Sequence, residues 1–208
     1  MRDEMPAPPI FCRMPLMKRT DMLTDQLFEG RLVRFAPPDA ERDADIVSKW
    51  THDLEYLRLL SGEVAKPLSP AQIKRQYEEL DKEAEKRTAF NFAVRLKEDD
   101  RLIGVARLFR IEWVHGTASL QIGIGDRVDR GKGYGTETLH MLLRYAFDEL
   151  SLYRLAAVTA EYNTGAIRFL ERSGFIVEVR RRQALQRDGK RWDAMMLGLL
   201  RDEWKRDA

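Results

Sequence analysis

Apolar and polar positions first alternate in "GRLVRFAPP", residues 30 to 38, and two prolines end the run, which predicts a first strand. Asp39 stands where a helix cap belongs, with a helix predicted to about Trp50 and "THDLEYLRLL" continuing it up to Gly62. "SPAQIKRQYEELDKEAEKR", residues 69 to 87, is the clearest early helix: Ser69 caps it, Pro70 fills its first turn, and Ile73, Tyr77 and Leu80 form an apolar stripe. "AFNFAVRL", the charged turn "KEDD" and "RLIGVARLFRIEWV" read as a long hairpin, with "ASLQIGIG" (118 to 125) as a third strand of its sheet.

Behind the stretch "DRGKGYGTET" (129 to 138), Leu139, Leu142, Leu143, Ala146, Phe147 and Leu150 recur at helical spacing, so one face of that helix packs on the sheet. "YRLAAVTA" reads as a buried strand. Asn163 caps a short helix with the stripe Ala166, Ile167 and Leu170; Gly174 ends it and Phe175 folds back. "FIVEVRRRQAL" and "RWDAMMLGLL" close the chain as a hairpin around "RDGK". The order predicts one α/β domain with a mixed sheet. Residues 1 to 28, rich in Met and Pro and without a clean period, are expected to be a flexible N-terminal arm ahead of a domain at 29 to 208.

Composition narrows the classes. Of 208 residues, 44% are hydrophobic and 34% charged, a globular balance, and the net charge of +2 supplies no global field for nucleic acid or membrane. Cys12 is the single cysteine, which excludes an intrachain disulfide, and His52, His115 and His140 lack metal-ligand spacing, so no metal is expected. No apolar run reaches the roughly 20 residues of a membrane helix, and the first 20 residues make a poor signal peptide, so a cytoplasmic location is expected. The basic run Arg180 to Arg182, with Arg187, Lys190 and Arg191, lacks aromatic interleaving and reads as a solvated hairpin rather than an RNA site.

The three glycines at 131, 133 and 135 fit neither common phosphate motif. Five residues separate Gly125 from Gly131 and Gly133 follows Lys132, which breaks the Walker pattern; Val128 and Thr136 stand where a dinucleotide fingerprint needs its third glycine. What remains is a strand-to-helix loop whose open N–H groups, with Arg130 and Lys132 beside them, suit an anion; an ordinary turn is the alternative.

The segment from Gly123 to Phe175 resembles the GCN5-related N-acetyltransferase (GNAT) superfamily. Its [QR]-x-x-G-x-[GA] signature stands as Arg130, Gly131, Lys132, Gly133, Tyr134 and Gly135, and its "N…A…GF" block as Asn163, Ala166, Gly174 and Phe175. Weaker likeness reaches from residue 30 to about 204 and is similar to the branch that acetylates ribosomal-protein N-termini and spermidine. The resemblance implies one domain with a mixed, mostly antiparallel sheet, a splayed central strand pair and helices on both faces. It implies acetyl-CoA as cosubstrate, its pyrophosphate on the amides of Arg130 to Thr136 and its arm along Ile122, Gly123 and Ile124, with Asn163 bonding the arm and Arg172 assisting at the phosphates. A homodimer is expected from the resemblance alone.

The implied activity is direct acetyl transfer to a primary amine, on a protein or peptide N-terminus or a small molecule. The alternatives are a polyamine acetyltransferase and a catalytically weak acyl-CoA-binding regulatory module. Two positions depart from the family. Leu170 stands where a tyrosine usually protonates the leaving thiolate, and Ser119 where polyamine enzymes carry an acid. Ser119, Glu112 and His115 are the candidate replacements: His115 as base, Glu112 as a pocket carboxylate, Ser119 as a hydrogen-bond partner of amine or water. Tyr134 is expected to flank the phosphates.

Overall fold

The computed structural model describes residues 26–205. Seven strands form one sheet in the order β1-β2-β3-β4-β5-β7-β6: β1 (Val33–Ala36), β2 (Ala89–Leu96), β3 (Leu102–Glu112), β4 (Thr117–Ile124), β5 (Arg154–Ala160), β6 (Ile176–Arg187) and β7 (Lys190–Leu200). Every pairing is antiparallel except β4 with β5. Five helices complete the domain: α1 (Ala40–Trp50), α2 (Leu54–Leu60), α3 (Pro70–Glu85), α4 (Tyr134–Arg144) and α5 (Thr164–Arg172). The α/β class and mostly antiparallel sheet agree with expectation. The expected arm falls almost wholly outside the described residues; at its end Leu27 packs on the core and the Phe28 ring meets Phe92 and Tyr145.

Local chemistry explains the helix ends. Asp39 caps α1 by accepting from the N–H groups of Glu41 and Arg42, and Ser69 and Gln72 form a reciprocal capping box on α3. The sequence suggests one helix running to Gly62, but the chain breaks at Thr51. Thr51 Oγ1 donates to Ser48 O and accepts from Leu68 N, and Asp53 caps a new helix through Glu55 N and Tyr56 N. Two strong Asx and Thr side chains thus compete successfully with helix continuation. A π turn over Tyr145–Glu149 extends α4, also unforeseen, and Tyr145 meets Phe90 and Phe92 edge-on there.

The apolar face of α4 presses Leu139, Leu142, Leu143, Ala146 and Phe147 into the main core, against Val33, Phe35, Val94, Leu108 and Leu155. Each fully buried side chain of this kind stabilises the fold by about 1.5–3 kcal/mol over leaving it in water. The opposite sheet face carries α1 to α3. There the buried Arg95 of β2 gives Nη2–H to Asp43 Oδ1 of α1 at 2.6 Å, and Asp43 Oδ2 accepts from Asp39 N. At the hairpin end, Asp188 and Gly189 both take positive φ and make the expected two-residue corner.

Two close fits lead to predictions. A Cβ on Gly125 would fall inside the Trp50 indole. Gly125→Ala is therefore expected to lower unfolding stability by about 1–3 kcal/mol, read by urea denaturation with tryptophan emission; an unchanged midpoint would refute the fit. The buried Asp129 accepts two hydrogen bonds from Arg101 Nη1 and Nη2, at 2.7 and 3.0 Å, and this pairing holds its carboxyl below the usual carboxylate range. A lowered folded pKa means that the unfolded chain takes the proton first. The stabilisation is complete above the unfolded pKa of about 3.9 and is lost as pH falls through the folded value. Asp129→Asn should therefore be less stable than the parent at pH 7, with the gap closing below pH ~4; a pH-independent gap would count against it.

Candidate active site

Strands β4 and β5 pair for only three residues, Thr117 to Ser119 against Arg154 to Ala156. Beyond Ser119 they part, while β4 stays paired to β3 as far as Ile124. The result is a wedge, and a cavity of about 650 Å³ runs through it. Ile122, Gly123 and Ile124 line one side, and Asn163, Gly165, Ala166 and Phe169 of the α5 end line the other. At the wide end stand Arg130, Gly131, Gly133, Gly135 and Thr136.

The glycine loop is built as an open cradle. Gly131 and Gly133 have φ of 75° and 88°, and nothing lies within 4 Å of the position where either would carry a Cβ. Gly133 caps α4 without a side chain, and the first bond inside the helix runs from Glu137 N to Gly133 O at 3.0 Å. The N–H groups of Tyr134, Gly135 and Thr136 therefore face outward, with the positive end of the helix dipole behind them. This fits a pyrophosphate.

The charged residues around the loop serve different ends. Arg130 folds back and donates to Ile124 O and Gly125 O, at 3.3 and 2.9 Å, which bolts down the end of β4. Lys132 is exposed and does not line the cavity; it stands 3.8 Å from Asp129. Tyr134 packs on the core, and Arg172, in the last turn of α5, is exposed and away from the cavity wall.

Asn163 caps α5 through Ala166 N (3.1 Å), as its position suggested, and its Nδ2 donates to Leu59 O (3.2 Å). That second bond belongs to a larger arrangement. The carbonyls at the end of α2 are each taken by another element: Arg58 O by Tyr162 Oη, Leu60 O by Gln121 Nε2, and Gly62 O and Glu63 O by Arg187 Nη2. Arg58 in turn holds Asp188 with two bonds of 2.8 Å. So α2 roofs the wedge and brings Tyr56, Leu59 and Leu60 to it, residues that no sequence motif singled out. The Asp53 cap was the available signal. Tyr56 is the consequential one: its hydroxyl lies 3.1 Å from where a Cβ of Gly123 would be, and burial pushes its pKa far above the ordinary phenol value.

The other candidates separate by geometry. Leu170 is buried in the main core, so the position that usually holds a tyrosine is filled by packing. Glu112 and His115 sit at the β3–β4 turn, where Thr117 Oγ1 donates to Glu112, and Thr117 is six strand residues from Gly123, roughly 20 Å. They do not reach the wedge. Ser119 shares the face of Gln121 and Gly123 but lies four residues away, roughly 13 Å.

A second cavity of about 330 Å³ opens on the far side of α2, between α1, α3 and strands β2 to β4. Tyr56 and Leu60 belong to the walls of both cavities. Among the described residues no His, Cys, Asp and Glu cluster is arranged to hold a metal, and no helix is long and apolar enough to cross a membrane.

Comparison with known proteins agrees with this geometry. Residues 33–176 match the acetyltransferase (GNAT) domain. YjcK of Bacillus subtilis (strain 168), named a probable N-acetyltransferase, is 34% identical over 125 residues, 59% of this chain and 67% of that one. YdaF of the same organism, provisionally named a ribosomal N-acetyltransferase, is 28% identical over 192 residues, 88% of this chain and 98% of its own. The spermidine N-acetyltransferase from Vibrio cholerae, solved with CoA and spermine, superposes with a TM-score of 0.73 at 20% identity, covering 82% of this chain and 96% of that one. The chain belongs to the GNAT family of acetyltransferases.

Proposed function

We propose that this acyltransferase moves an acetyl group from acetyl-CoA directly to a primary amine, on a peptide or protein N-terminus or a small molecule. The observation that carries the reading is the continuous wedge, with a cradle of open N–H groups at its wide end and an unpaired strand edge at its narrow one. The cradle of Gly131 to Thr136 takes the pyrophosphate, and Ile122 to Ile124 offer backbone to the arm. A polyamine is the weaker reading for the acceptor, since the half-buried cation of Arg107 lines the second cavity.

The amine nitrogen attacks the thioester carbonyl, the C–N bond forms, the C–S bond breaks, and the proton lost by nitrogen ends on the thiolate or solvent. Negative charge builds on the carbonyl oxygen during attack. Tyr56 is placed over Gly123 to donate its O–H to that oxygen. Its role is hydrogen-bond donor rather than acid: its raised pKa makes proton transfer to a thiolate of pKa about 8.5 uphill. This reading assigns no task to a tyrosine at position 170.

Mixing the pure protein with acetyl-CoA and a panel of amines, while following free thiol, tests the reaction. Thiol release that depends on the amine is expected; tight CoA binding with no release for any amine would favour a binding module. Tyr56→Phe should lower kcat about 100-fold with little change in the KM for acetyl-CoA, and wild-type turnover in that variant would remove Tyr56 from the mechanism.

A further inference from the structure

The floor of the second cavity carries polar groups in an apolar chamber. Asn91 of β2 lies opposite Arg107 of β3, and Arg107 opposite Gln121 of β4, so the three form a row across the sheet. They share a face with Gly123, two residues beyond Gln121 along β4. All three line the cavity, whose walls include Leu57, Leu60, Leu68 and Ile73.

The hydrogen bonding of this row is incomplete. Both amide atoms of Asn91 and Nε of Arg107 are buried without a partner. Gln121 is already committed to Leu60 O. Arg107 reaches Glu83 at the rim with Nη2 at 3.3 Å and lies over the Phe109 ring at 4.6 Å, contacts that fix its guanidinium and leave Nε open. The charged residues lining the cavity are Glu63, Lys66 and Arg107. Unpaired buried donors are costly, and a ligand that satisfies them binds with that cost recovered.

We propose that this row receives a carboxylate of the acceptor, so that the substrate is an amine that also carries a carboxylate. Its oxygens accept from Arg107 Nε–H and Asn91 Nδ2–H, in a charge-assisted contact suited to the planar fork of arginine. The amine points toward Gly123, roughly 7 Å along the strand from Gln121. That span suits either a free amino acid or the first two residues of a peptide with an acidic second side chain. A polyamine offers no acceptor for these donors and brings cations to Arg107. The inference rests on the acetyl transfer proposed above and goes beyond it in naming the acceptor class.

The test compares matched acceptors by thiol release: phenylalanine with phenethylamine, 4-aminobutyrate with n-butylamine, and the C-amidated dipeptides Ala-Asp with Ala-Ala. The carboxylate-bearing member of at least one pair is expected to have kcat/KM at least about 100-fold higher, because a site built to hydrogen-bond a group rejects the analogue without it. Activity on free amino acids alone, or on Ala-Asp alone, identifies the source of the carboxylate, and either supports the proposal. Arg107→Met, which keeps a stem over Phe109, should collapse the preference, and Asn91→Ala should reduce it. Equal use of both members of every pair overturns the carboxylate site while leaving acetyl transfer intact. Should no amine release thiol, calorimetric titration of the N-acetylated compounds into the CoA-saturated protein decides the matter. Tighter binding of the carboxylate member, lost in Arg107→Met, upholds the site; equal binding, or none, overturns it.

Discussion

The brevity of the β4–β5 pairing governs this molecule. Three residues of parallel ladder hold the two halves of the sheet together, and the wedge opens where the ladder stops. A longer ladder would satisfy the strand edge and close the slot; none at all would leave two unrelated sheets. The separation persists because each branch has its own support. β4 is secured by β3 and by the Arg130 guanidinium at its end, and β5 by β7 along its full length. The open edge is thus a local shortage of pairing between two strands that are each paired on their other side.

Much of this was legible from residues alone, and the reason is locality. Caps, glycine turns and amphipathic stripes are governed by neighbours within a few positions, so Asp39, Ser69, Asn163 and Gly174 read correctly before any fold is known. What was hidden depends on pairs distant in sequence. Nothing near Tyr56 announces that it meets Gly123, and nothing near Leu59 announces that Asn163 will bond to its carbonyl. Gly123 and Gly125 are glycines in an otherwise apolar stretch. Their neighbours in the fold turn out to be Leu60, Tyr56 and Trp50. His115 and Glu112 looked attractive by residue type, but only the strand register shows how far from the wedge they stand.

Charge in this protein is used mainly as internal fastening. Arg95 with Asp43, Arg101 with Asp129 and Arg58 with Asp188 each tie elements far apart in sequence, and the first two bury a carboxylate to do so. Breaking either of those two leaves a buried charge uncompensated, which costs more than the pair itself supplies. Basic and acidic residues are nearly equal in number, 36 against 34, so the chain carries a net charge of only +2.

The roof helix has one more consequence. Side chains from β4, from the β5–α5 connection and from β7's hairpin all grip the carbonyls of α2. Bound this way, α2 acts as a fixed partition between two chambers, each with its own mouth. The two chambers share Tyr56 and Leu60 as wall, so a change at either side chain reshapes both at once.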